Sequence, residues 1–224
     1  MTQRREFLRQ ASLLAAGTMA ASPLVAEAAT PSDMPPAAQG SYDMSWGDRV
    51  TGKYRMAFDA HAISDGVCLH QVRSFLAGYG TVFGLKDSDV SAVLVIRHAA
   101  VPMVMNDSLW ADGFLNEGDK LKDPVTNDPA RKNPFINIPV GARYSLAWAD
   151  GALDTLISRG VIVLACELAL TNFSGRIANH RKIPRSDART LVMDNLVPGV
   201  IKVPTGIFGT SHAQQLGCGV LNAV

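Results

Sequence analysis

The chain has 224 residues, 47% of them hydrophobic, with 21 Lys and Arg against 20 Asp and Glu. That length fits one domain around a single core, and a near-neutral charge with no basic run leaves no electrostatic footprint for nucleic acid or for an anionic membrane. The three cysteines, Cys68, Cys166 and Cys218, form no C-x-x-C pair, which excludes a zinc ribbon and a disulfide scaffold.

The first residues include Arg4, Arg5, Glu6, Phe7, Leu8 and Arg9. Two adjacent arginines, one spacer, Phe-Leu and a further basic residue have the pattern of a twin-arginine export signal. An apolar stretch of small residues runs on to about 25 and ends at Ala26, Glu27 and Ala28, an A-x-A-type cleavage site. The stretch is shorter than the roughly 20 apolar residues of a membrane span. The expectation is a signal peptide over 1–28, removed on export of the folded chain to the periplasm. Its loss takes three basic and two acidic residues and leaves 18 of each, a net charge of zero. No motif assigns a cofactor or a metal: H-E-x-x-H, Walker, G-x-G-x-x-G and G-x-S-x-G patterns are all missing.

Residues 29–50, with Pro31, Pro35 and Pro36, read as a flexible leader, with order starting near 54. Residues 54–60 read as a strand and 64–84 as a helix capped by Ser64, with Val67, Val72, Phe75, Leu76 and Tyr79 recurring on one side. The apolar run 91–96 reads as a strand buried on both faces, followed by a short helix over 101–110. A helix is expected over 148–158, stopped by Gly160, then a second buried strand over 161–165. Helices follow over 167–181 and 186–195, a strand over 200–203, a helix over 206–216 and a last strand over 218–222. Strands alternating with helices predict a three-layer α/β/α domain over 51–224 with a mostly parallel five-stranded sheet. Residues 113–145 break the rhythm with Gly113, Gly118, Pro124, Pro129, Pro134, Pro139 and Gly141. Phe114, Leu121, Phe135, Ile136, Ile138 and Tyr144 give that segment the means to order as a cover.

In open α/β sheets, ligands sit beyond the carboxyl ends of the strands. Those ends carry Asp59 and His61 after the first strand, Arg97 and His98 after the second, Cys166 and Glu167 after the third, and Thr205 and Gly206 after the fourth. Cys166 lies where a helix begins, a position that favours a thiolate. His61 or His98 is placed to take its proton, which makes Cys166, His61 and His98 the catalytic candidates. Asp59, Arg97, Glu167, Thr205 and Gly206 are the ligand-binding candidates. Glu167 is an acidic neighbour that opposes ionisation of the thiol. Free cysteine also packs as a small hydrophobe, so Cys166 as a core residue is the competing reading.

The run Gly160-Val-Ile-Val-Leu-Ala-Cys166, the run Val200-Ile-Lys-Val-Pro204-Thr-Gly206 and the run Gln214-Gln-Leu-Gly217-Cys-Gly-Val-Leu together make a pattern. A Gly precedes an apolar strand ending in Cys, a second strand ends near Gly, and a closing helix enters the last strand through Gly. This resembles the DsrE-like family of small α/β proteins, over about 54–224 without the Pro-rich insertion. The resemblance implies a five-stranded parallel sheet between helices and a homo-oligomer, often a trimer or hexamer. It also implies that Cys166 carries a persulfide and passes sulfur to a partner. The chain differs from the sulfur-relay members in its export signal, its insertion and Glu167. Two functions follow: an exported protein that binds a small or sulfur-containing ligand through Cys166, or an oligomeric accessory protein of the periplasm in which Cys166 is structural.

Overall fold

The computed structural model describes residues 42–116, 121–123, 125–144 and 146–224; the expected signal peptide and most of the expected leader lie outside the described residues. In chain order the elements are β1 (Tyr54–Ala60), α1 (Val67–Phe83), β2 (Val90–Ile96), α2 (Asp107–Trp110), β3 (Arg143–Tyr144), β4 (Ala147–Trp148) and α3 (Leu153–Ser158). After them come β5 (Ile162–Cys166), α4 (Glu167–Arg181), α5 (Arg185–Asp194), β6 (Ile201–Val203), α6 (Gly206–Gln215) and β7 (Gly219–Asn222). Five strands form one sheet in the order β6-β5-β2-β1-β7, all parallel, and β3 and β4 pair separately. The expected three-layer α/β/α architecture with a parallel five-stranded sheet is present.

Every residue of β2, the central strand, is buried, as an unbroken apolar run requires between two helical layers. Side chains alternate across the pleat. Leu94, Ile96, Val163 and Ala165 face the larger core, covered by α1 through Leu69, Val72 and Leu76 and by α4 through Leu170, Phe173 and Ile177. Val93, Val95, Ile162, Leu164 and Val203 face the other side, covered by α6 through Ala213 and by Trp46. Trp46 belongs to a 3-10 helix, Ser45–Arg49, and is fully buried, its ring edge-on to His212 at 5.2 Å. Order therefore begins before residue 54, because the thin layer under α6 needs a large side chain to close it.

Two further expectations change. Ser64 makes no side-chain cap; Ser64, Asp65 and Gly66 all take positive φ, and Gly66 is the residue before α1. A side chain at Gly66 would press on Phe135 and Ala147, so the turn is set by packing against the insertion. The helix expected over 148–158 is shorter, since Trp148 ends β4 and a 3-10 turn, Ala149–Gly151, precedes α3.

The segment 113–145 is ordered against the larger core in its described part. Leu121, Phe135 and Ile138 are buried, and Phe114 and Ile136 pack partly buried. Asn133 anchors it: Nδ2 donates to the carbonyls of Met103 and Met105 at 2.8 and 2.6 Å, and Oδ1 accepts from the Phe135 amide at 2.9 Å. A loop of this composition is held by polar side chains that satisfy buried backbone groups. No described helix is long and apolar enough to cross a membrane.

Cys68 lies in α1 with its Sγ 4.0 Å from the Met103 sulfur, and burial pushes its thiol up to about 12. The folded chain thus holds this proton more tightly than the unfolded chain. The stability tied to it is present below the unfolded value of about 8.5 and is lost as pH climbs toward the folded one. Urea denaturation between pH 8 and 11 (roughly the window those values span) is expected to show falling stability. The Cys68→Ala chain, although weaker at neutral pH, should show a shallower fall; parallel slopes for the two chains would remove Cys68 as the cause.

Candidate functional site

The crossover after β5 sends α4 to the larger core, while the crossover after β6 sends α6 to the opposite face. Connections that leave adjacent strands toward opposite faces open a crevice at the carboxyl end of the sheet. A cavity of about 340 Å³ lies there, within the range of small-molecule sites. Arg97 and His98 enter it from the end of β2, Cys166 from β5, and Thr205, Gly206 and Ile207 from the start of α6. One face of α4 supplies the wall, with Ala169, Phe173 and Arg176.

Five of the eight candidates named from the sequence line this cavity: Arg97, His98, Cys166, Thr205 and Gly206. The Sγ of Cys166 accepts a hydrogen bond from the Ala169 amide at 3.4 Å, so the thiol caps α4. Thr205 caps α6 in the same way, its Oγ1 accepting from the Phe208 amide at 3.0 Å. His98 takes φ 50°, a left-handed conformation uncommon outside glycine, at the turn from β2 into the 3-10 helix His98–Val104.

Asp59 sits one layer behind. Its two oxygens accept from Arg97 Nε at 2.7 Å and Nη2 at 2.8 Å, both side chains being more than four-fifths buried. The guanidinium is held above its ordinary value, first by these hydrogen bonds and then, against the opposing effect of burial, by the charges of Asp59 and Cys166. Asp59 therefore orients Arg97 rather than binding ligand directly. The stem of Arg97 lies flat on Gly206, where an added Cβ would come within 2.5 Å of Arg97 Cδ. A glycine is required there for α6 to start so close to β2.

Two candidates lie elsewhere. Glu167 accepts from Arg189 of α5, and Tyr42 approaches it, the tyrosine hydroxyl being raised first by burial and then by its hydrogen bond to Glu167. Consecutive helical residues point about 100° apart, so with Cys166 turned to the cavity Glu167 turns to α5. His61 follows β1, on the far side of β2 from β5, and does not line the cavity; its Nδ1 is buried without a partner. Of the two histidines only His98 reaches the Cys166 cavity.

The α4 wall went unread in the sequence, although positions 169, 173 and 176 recur at helical spacing from Cys166. No described residue of 113–145 lines the cavity; Phe114 lies beside it, its ring 5.6 Å from the Arg176 guanidinium and stacked on His180 at 4.3 Å. Leu115, Leu121, Phe135 and Ile138 of the insertion go to the larger core instead.

Fold and site together define an open parallel α/β protein with a thiol-bearing cavity at the strand ends. No family model matches the chain, and no curated protein matches it. Among solved structures it is similar to a protein of unknown function from Methanobacterium thermoautotrophicum, at 15% identity and a TM-score of 0.39, covering 75% of this chain and 98% of that one.

Proposed function

We propose that this is an exported DsrE-like protein that receives a small or sulfur-containing ligand in the strand-end cavity and engages it through Cys166. The observation that carries the reading is the position of the Cys166 sulfur. It borders the cavity at the start of α4, where it accepts the Ala169 amide, and Arg97 and His98 line the same cavity. In the sulfur-carrying form of the proposal, the Cys166 thiolate attacks the outer sulfur of a persulfide donor. An S–S bond forms to Cys166, the donor's S–S bond breaks, and the donor leaves as a thiolate. Arg97 and the Ala169 amide face the sulfur through that exchange, and His98 is the nearby base for its proton.

Intact-mass and peptide mass spectrometry after treatment with glutathione persulfide tests this. The expected product is one sulfur atom heavier at Cys166, absent from the Cys166→Ser chain. Unmodified Cys166, with or without sulfur on Cys68 and Cys218, would rule the carrier form out.

The second reading, a non-catalytic accessory protein, is favoured by one observation. Cys166 is only 6% exposed, and its sulfur already serves as a helix cap. Under that reading Cys166→Ser keeps the cap and the protein's binding properties.

Self-association belongs to the same proposal. The edge strand β7 has all four residues exposed and carries no charge, so a second copy meets no like charge there. Light scattering of the mature protein is expected to give a mass above the monomer, lowered by Leu221→Lys; a strict monomer at tens of micromolar (roughly the range in which weak homo-oligomers persist) would delete the oligomer from the account.

A further inference from the structure

We infer that the ligand of the Cys166 cavity is a small organic anion, read by Arg176, with an apolar part lodged against Phe173 and Ile207. The inference rests on the reading of this cavity as the ligand site, and it names the charge and shape of what enters.

The charge follows by elimination. No Asp or Glu lines the cavity among the described residues. The two carboxylates that touch the strand ends around it are committed elsewhere, Asp59 to Arg97 and Glu167 to Arg189. Arg97 is neutralised by its carboxylate, so it contributes orientation more than net charge. Arg176 is different. Among the described residues it has no hydrogen-bond acceptor and no carboxylate partner, and its guanidinium rests on two rings, Phe114 at 5.6 Å and Phe173 at 5.9 Å. Such stacking fixes the plane of a guanidinium while leaving its N–H edge free. An exposed, unneutralised arginine seated against two rings at the mouth of a cavity can receive an anion, and its fork matches a carboxylate or sulfonate in two parallel hydrogen bonds.

The rest of the lining agrees. Gly206 and Ile207 are the first two residues of α6, and the first amides of a helix have no partner within it. Ala99, Val101, Leu168 and Phe173 make most of the remaining wall apolar, with Asn172 its polar member. An inorganic ion would leave that wall unfilled, whereas a carboxylate on a short chain or ring fills it.

The test uses mature protein and two matched pairs of probes, benzoate with benzamide and hexanoate with hexanamide. Binding is followed by isothermal titration and by the amide signals of Ile207 and Arg176 in heteronuclear NMR. At least one acid is expected to bind saturably, with its amide counterpart roughly tenfold weaker or more, the loss for one charged hydrogen-bonded contact. Arg176→Gln should reduce acid binding by a similar factor, and Arg176→Lys should restore part of it. Absence of binding by both acids, equal binding by acid and amide, or indifference to Arg176→Gln would each overturn the inference. The Cys166→Ser chain separates it from the thiol reading. Acid binding that survives this change while wild-type Cys166 takes up no sulfur upholds the anion site and refutes covalent engagement. Sulfur uptake without acid selectivity does the reverse.

Discussion

Gly52→Ala is expected to cost about 3 kcal/mol, the upper part of the range for overpacking a filled site. The residue is buried ahead of β1 and donates its amide to Ser91 Oγ at 2.8 Å. A Cβ built there would stand 2.4 Å from the Val90 carbonyl carbon and 2.5 Å from the Ser91 nitrogen, both backbone atoms of the central strand. Backbone cannot rotate aside as a side chain does, so the β1–β2 register must shift at its first pair, Tyr54 with Val90. For a domain of this size the melting temperature should fall by roughly 6–12 °C. Gly78→Ala and Gly175→Ala are the controls. Both glycines lie inside helices with nothing within 4 Å of an added Cβ, and alanine there should stabilise by about 0.5–1 kcal/mol. Denaturant titration of the three chains checks the opposite signs; a Gly52→Ala chain as stable as its parent would contradict the packing at the head of the sheet.

Asp59→Ala is expected to cost a comparable amount, roughly 2–4 kcal/mol, because it strands the mostly buried Arg97 without its carboxylate. The double change Asp59→Leu with Arg97→Met should recover much of that loss, since a buried ion pair contributes little beyond an apolar pair of similar volume. A double-mutant cycle measures the coupling. Near-zero coupling would mean that the two side chains do not meet in solution. The same variant bears on the site, because Asp59 holds the arginine that lies across Gly206. Freed from it, Arg97 adds charge to the cavity, and the Asp59→Ala chain should alkylate faster at Cys166.

Much of this architecture was legible from pattern. The runs 91–96 and 161–165 are continuous and apolar because both strands sit between two helical layers, and titratable residues gather where such runs stop. Arg97, His98, Cys166, Thr205 and Gly206 were found on that rule alone. What stayed hidden depends on rotation and on distant partners. The direction of Glu167 follows from the helical step after Cys166 and from Arg189, 22 residues on. The pairing of Asp59 with Arg97 joins neighbouring strands 38 residues apart. The end of a strand says nothing of its neighbours, and the sheet order, with β2 between β1 and β5, is what takes His61 away from Cys166. Trp46 looked like part of a leader because its partner layer, α6, comes at the other end of the chain. Leu121, Phe135 and Ile138 of the insertion are buried as their character requires, but composition does not say which surface a loop covers.

Whether a working thiol stands at the strand-end cavity is read from the order in which the native cysteines alkylate. The native protein would be treated with iodoacetamide and the rates at Cys68, Cys166 and Cys218 read separately by mass spectrometry. Cys166 is expected to react first, slowed by a ligand that fills the cavity. Cys218, whose thiol burial raises, should follow, and Cys68, enclosed in the core, should react only on unfolding. If Cys166 stays silent until the chain unfolds, reacting together with Cys68, it is a packing residue and helix cap, and the thiol function proposed for this cavity is wrong.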